Sequence, residues 1–65
     1  MHWDRLRGTW NQGTGEVTRP WGKLTDDDLH TVEGDRQRLV GTIQERYGGT
    51  KEEADRQVDA WLSSR

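Results

Sequence analysis

Hydrophobic positions along this chain recur at steps of three and four. Leu39, Val40, Ile43 and Tyr47 share one face over 36–47, with Arg36, Arg38, Gln44, Glu45 and Arg46 on the remaining surface. That spacing predicts an amphipathic helix. Ala54, Val58, Trp61 and Leu62 repeat it over 51–62. Over 26–33 the stripe shrinks to Leu29 and Val32, a two-turn helix that must rely on packing partners. Trp3, Leu6, Trp10 and Val17 also fit one helical face. That segment carries Gly8, Gly13 and Gly15, each costing up to about 1 kcal/mol relative to Ala in a helix. Pro20 biases Arg19 away from the helical region. The prediction for 3–18 is a frayed or interrupted helix ending near Thr18.

Local chemistry places the boundaries. Thr25 is an N-cap whose hydroxyl accepts from a backbone N–H in the first turn. Asp26, Asp27 and Asp28 fill that turn and face the positive end of the helix dipole. Thr25 and Asp28 stand at capping-box positions with a shorter acid than usual, and Gly22 lets the chain bend just before them. Gly34 reads as a stop and Asp35 as the next cap, against the alternative of one continuous helix over 26–47. Gly48 and Gly49 end the third helix; Thr50 and Glu53 then predict a reciprocal capping box for the last. Gly41, inside a strong helix, suggests close approach of another backbone. The expected core is Trp10, Leu29, Val32, Leu39, Val40, Ile43, Tyr47, Ala54, Val58, Trp61 and Leu62. The fold class is all-α, a small bundle of about four short helices.

Composition sharpens this picture. At 65 residues, one domain over 1–65 is the ceiling. Leu, Ile and Val together number only 10 and Phe is absent, so Trp3, Trp10, Trp21 and Trp61 are expected to supply much of the buried area. The net charge of −2 is small for a disordered chain, yet the 26–35 stretch alone carries −5. The absence of cysteine excludes disulfide staples and a zinc-thiolate site. No apolar run reaches seven residues, which argues against a signal peptide and a transmembrane helix and for the cytoplasm.

Candidate chemistry is sparse. Three adjacent Asp residues lack the alternating oxygen ligands and distal Glu of a calcium loop. His2 is terminal, and His30 lies beside acids on a short helix; both read as solvated surface. Gly13-Thr14-Gly15 is not a phosphate loop, since no Gly-Lys-Ser/Thr follows it. No catalytic, cofactor or metal residue is assigned. A basic face could gather Arg36, Arg38 and Arg46 with Arg5, Arg7, Arg19 and Lys23, but the overall negative charge opposes nucleic-acid binding. The candidate partner surface is Trp21, Lys23, Arg36 and Arg46. The expected state is a monomer with no membrane attachment and an unidentified protein partner.

Several runs carry a family pattern. Trp21-Gly22-Lys23-Leu24-Thr25-Asp26-Asp27-Asp28-Leu29, then Glu33-Gly34, Leu39-Val40-Gly41, Ile43-Gln44-Glu45-Arg46-Tyr47-Gly48 and Lys51-Glu52-Glu53-Ala54 closely resemble the CsbD-like family of small bacterial general-stress proteins. The resemblance implies four short helices packed as two hairpins, and synthesis in a bacterial stress response. It supplies no catalytic or binding residues. The chain departs from the family pattern at Gly13 and Pro20, where an aromatic and a polar residue are usual. The function expected is a non-enzymatic folded interaction module. The alternatives are a hydrophilin, a loosely ordered polar protectant favoured by eight Gly and a mean hydropathy of −1.23, and a weak nucleic-acid binder.

Overall fold

The computed structural model describes residues 3–64, with only the backbone described for 11–14. His2 therefore lies outside the described residues. Among the described residues five helices follow in order: α1 (Trp3–Gly8), α2 (Trp10–Val17), α3 (Asp26–Val32), α4 (Arg36–Tyr47) and α5 (Lys51–Ser63). No strand occurs among the described residues. The Cα radius of gyration is 10.6 Å. A folded chain of this length should measure about 11 Å and an unfolded one about 25 Å.

The expected N-terminal helix is interrupted at Thr9, whose hydroxyl donates back to the Arg5 and Leu6 carbonyls. Gly8 and Gly15 have open space where a Cβ would stand, so neither is there to admit a neighbour. Gly41 is the same, which corrects the expected close backbone approach at that position. The close approach occurs instead at Gly34. A Cβ there would sit 2.9 Å from Arg7 Cγ and 3.4 Å from Arg7 Cα, so α1 lies directly on the α3–α4 turn.

That turn ends α3 decisively. Glu33 (φ 51°) and Gly34 (φ 78°) are both left-handed, and the Glu33 N–H donates to the Leu29 carbonyl. Two successive left-handed residues rule out one continuous helix over 26–47. Asp35 then caps α4, its carboxylate accepting from the Gln37 N–H at 2.9 Å and the Arg38 N–H at 3.4 Å. Thr50 caps α5 by accepting from the Glu53 N–H at 3.1 Å. The reciprocal half of that box is not made. Glu53 swings its carboxylate over Gly49, with Oε2 3.0 Å from where a Gly49 Cβ would stand.

Helix α4 is the centre of the packing, with α3 on one side and α5 on the other. The core contains Trp10, Leu29, Val32, Leu39, Val40, Ile43, Ala54, Val58 and Leu62, joined by Leu6, Val17, Trp21 and Leu24. Trp3 and Trp61 pack against it half-buried. Tyr47 corrects the expected core. It follows Ile43 by four residues on the same stripe, but at the last residue of α4 its side chain reaches the rim and is 41% exposed.

Two stability predictions follow from this packing. Ile43 is 1% exposed, so Ile43→Ala should lower the unfolding free energy by about 2–5 kcal/mol in a denaturant titration, against about 0.5–2 kcal/mol for Thr50→Ala. Glu33→Gly, which removes the Cβ from an exposed left-handed position, should instead raise the denaturation midpoint. An unchanged or lowered midpoint would show that Glu33 side-chain contacts outweigh its backbone strain.

Candidate functional site

Two of the sequence runs singled out above, 21–29 and 43–48, meet in space. The Arg46 guanidinium, at the end of α4, grips the Asp28 carboxylate with both prongs. Its Nε donates to Oδ2 at 2.9 Å and its Nη2 to Oδ1 at 2.6 Å. Asp28 Oδ2 also accepts from the Thr25 N–H at 3.1 Å, while Thr25 Oγ1 accepts from the Asp28 N–H at 3.1 Å. The capping box is thus complete, and the same acid ties the start of α3 to the end of α4. The Arg46 hydrogen bonds, followed by that from the Thr25 N–H, lower the Asp28 pKa to about 2 against the opposing effect of desolvation.

Beside this pair, the Lys23 backbone N–H donates to the Tyr47 hydroxyl at 2.9 Å. Lys23 Nζ stands 5.0 Å from the centre of the Tyr47 ring, a cation–π placement. Further along, the Trp21 indole N–H donates to Gln57 Oε1 at 3.2 Å, and its ring meets Trp61 edge-on at 5.5 Å. Segment 21–29 is therefore fastened to α4 at one end and α5 at the other.

Three of the four expected partner-surface residues are committed elsewhere. Trp21 is 4% exposed, which corrects its assignment as surface: a chain with so few aliphatics buries the ring beside Trp61. Arg36 bridges to α5, donating from Nη1 to Asp55 Oδ1 at 2.9 Å and from Nη2 to Asp59 Oδ1 at 2.6 Å. The hydrogen bond from Arg36 to Asp55 holds the Asp55 carboxyl below its ordinary range. Arg46 is spent on Asp28, although its side chain stays 47% exposed. Lys23 is also exposed, next to exposed Tyr47.

The other candidate sites resolve locally. Asp26 and Asp27 are exposed while Asp28 is engaged, and no metal-holding group of three His, Cys, Asp or Glu side chains occurs among the described residues. His30 is exposed on α3. An open cleft of about 590 Å³ lies at the α3–α4 turn, lined by Trp3, Arg7 and residues 32–38. Its three arginines are matched by acids: Arg7 with Asp4, Arg38 with Asp35, and Arg36 with Asp55 and Asp59. No described helix is long and apolar enough to cross a membrane.

The CsbD-like family model matches residues 4–56. The chain belongs to this CsbD-like family. It is 52% identical over 61 residues to the UPF0337 protein YjbJ of Escherichia coli O6:H1 strain CFT073, covering 94% of this chain and 88% of that protein. It is equally identical over the same span to the UPF0337 protein ECA0631 of Pectobacterium atrosepticum. The UPF0337 protein RPA4217 of Rhodopseudomonas palustris is 48% identical over 64 residues, 98% of this chain and 97% of that one. No solved structure matches the chain. In this CsbD-like chain two of the runs that carry the family resemblance, 21–29 and 43–48, are joined by the Asp28–Arg46 and Lys23–Tyr47 contacts.

Sequence reasoning left Leu24 out of the core and missed the long-range bonds of two indoles. Leu24 and Leu29 stand at the positions of a hydrophobic staple around the Thr25 cap, and both are buried; that spacing was the available signal. The indole bonds from Trp3 to the Gly34 carbonyl (2.6 Å) and from Trp10 to the Leu29 carbonyl (2.9 Å) span 31 and 19 residues and have no local signature.

Acid should act on this site in one direction. Because the folded Asp28 pKa lies below the ordinary value of 3.8, its contribution is present above that value and is lost as pH falls through about 2. Asp28→Asn should therefore lower the melting temperature at pH 7, with the deficit shrinking as the pH is taken down toward 2. A deficit that is constant with pH would place the effect outside Asp28 ionisation. Millimolar magnesium or calcium should leave the melting temperature at its salt-matched value, because a cation bound to the native state would raise it saturably.

Proposed function

We propose that this CsbD-like protein is a non-enzymatic, cytoplasmic stress-response protein that acts as a small folded interaction module. The family resemblance supports the stress role. The observation that carries the folded-module reading is that side chains of the resemblance-bearing runs tie the molecule together: Asp28 on Arg46 and Thr25, Tyr47 on the Lys23 N–H, Trp21 on Gln57 and Trp61. A protectant that works as a solvated chain needs neither caps nor a bidentate ion pair joining helix ends. Nucleic-acid binding is disfavoured, because Arg7, Arg36, Arg38 and Arg46 would each have to leave an acidic partner to reach phosphate. Lys23 and Tyr47 offer an exposed cation beside an aromatic ring, and a protein partner would meet them first.

Complementation separates the folded module from the protectant. In a bacterial strain that lacks its CsbD-like genes and is sensitised to stress, the wild-type chain should restore survival. Ile43→Ala, expressed to the same level, should not. Equal rescue by both chains would favour the solvated protectant, whose action needs no packed core. Helical circular dichroism and tryptophan fluorescence should give coincident unfolding transitions for the wild type.

A further inference from the structure

We infer that residues 3–17 form a strap that opens as a unit, hinged at Thr18–Pro20, while α3, α4 and α5 stay folded. The inference requires a folded protein and nothing about its role in stress. Three observations carry it.

The first is a contrast in how the two parts are held. Helices α3, α4 and α5 each start at a side-chain cap, from Thr25, Asp35 and Thr50. They are cross-tied by Arg46 to Asp28 and by Arg36 to Asp55 and Asp59. Helices α1 and α2, of six and eight residues, are separated by the break at Thr9; α3, at seven residues, is no longer, but it starts at the Thr25 capping box and is tied to α4 by Arg46. Helices of that length do not persist in water without their packing partners.

The second is the glycine content of the strap. Gly8 and Gly15 have no neighbour that a Cβ would meet, and neither has a positive φ. Their effect is to lower the helical preference of the segment without any packing return.

The third is the way the strap is fastened. Leu6, Trp10 and Val17 insert into the core, and the Trp3 and Trp10 indoles donate to the Gly34 and Leu29 carbonyls at the end of α3. These are point attachments along one stripe. They can release together, because Pro20 already biases Arg19 towards the extended backbone that an opened hinge needs. Opening would bring a stripe of Trp3, Leu6, Trp10 and Val17 into water, an apolar surface that the closed protein keeps covered.

Native-state hydrogen exchange tests this on the whole chain. In the wild type, amides of α1 and α2 should exchange through an opening more frequent than that of α4 and α5, and less dependent on denaturant. Thr50→Ala, far along the chain at the cap of α5, should speed exchange in α4 and α5 by about 2- to 30-fold and leave α1 and α2 unchanged. Gly15→Ala should slow exchange in α1 and α2 by about 2- to 5-fold. If Thr50→Ala speeds α1 and α2 by the same factor as α5, the strap opens only when the whole protein unfolds and the inference fails. Uniform protection along the wild-type chain would also overturn it, as would indifference of α1 and α2 to Gly15→Ala.

Discussion

The Asp28 carboxylate carries three duties at once. It completes the cap that starts α3, fixes the end of α4 through Arg46, and anchors the stretch that follows Trp21. A carboxylate at the first turn of a helix is already favoured by the helix dipole. A guanidinium arriving in bidentate geometry adds a directional restraint that a lysine could not supply, because a point charge does not fix the angle between two helix ends. Its side chain is 11% exposed, so water competes little for its oxygens. With this contact made, the loop from Trp21 to Leu24 has a defined path: Lys23 reaches the Tyr47 hydroxyl, and Trp21 falls against Trp61 and Gln57.

The need for such a contact comes from the scarcity of apolar residues. Ten aliphatic side chains of the Leu, Ile and Val type cannot line three helix interfaces with area to spare. The tryptophans compensate in two ways. Their rings bury large area, and the indole N–H groups of Trp3, Trp10 and Trp21 bond carbonyls or an amide across the chain, so these rings bring their own partners and no unsatisfied side-chain donor is buried among the described residues. Trp10 is the clearest case: its ring lies in the core while its N–H meets the Leu29 carbonyl, which also accepts from Glu33 where α3 ends.

This division explains which features could be read from the chain. Helices over 26–32, 36–47 and 51–63, their caps, and the break between α3 and α4 follow from spacing and from residues such as Thr25, Gly34, Asp35 and Thr50, whose action is local. The site was legible only in outline. Its two runs were visible as runs, but nothing local tells Arg46 to cross 18 residues to Asp28, or Tyr47 to cross 24 to Lys23. Reading each helix alone put Arg46 on a free surface and Tyr47 inside, and the tertiary pairing overrode both; Trp21, expected among the buried rings and also named as partner surface, is buried. Glu53 erred for a smaller reason: its longer side chain has more than one way to place its carboxylate, and at this helix it lies over Gly49 instead of returning to the Thr50 N–H.

The uneven distribution of these devices along the chain has a dynamic consequence. Caps and bidentate pairs are specific but add little bulk; they set geometry where packing is already adequate. The chain places them on α3, α4 and α5, while the described contacts that fasten α1 and α2 to the rest centre on Leu6, Val17 and two tryptophans. Such a segment is bound by burial of a few large rings, an interaction that is strong when the rings are seated and weak in specifying any partly detached state. Loss of one ring from its seat removes a large share of the attachment at once, so release of the segment should be cooperative within itself and separable from unfolding of the rest. Gly34, pressed under Arg7 at the α3–α4 turn, is a place where the two parts touch closely. A side chain there would lift α1 while leaving the Asp28–Arg46 tie intact, because the two contacts lie at opposite ends of α3. The geometry therefore separates what fixes the fold from what closes over it.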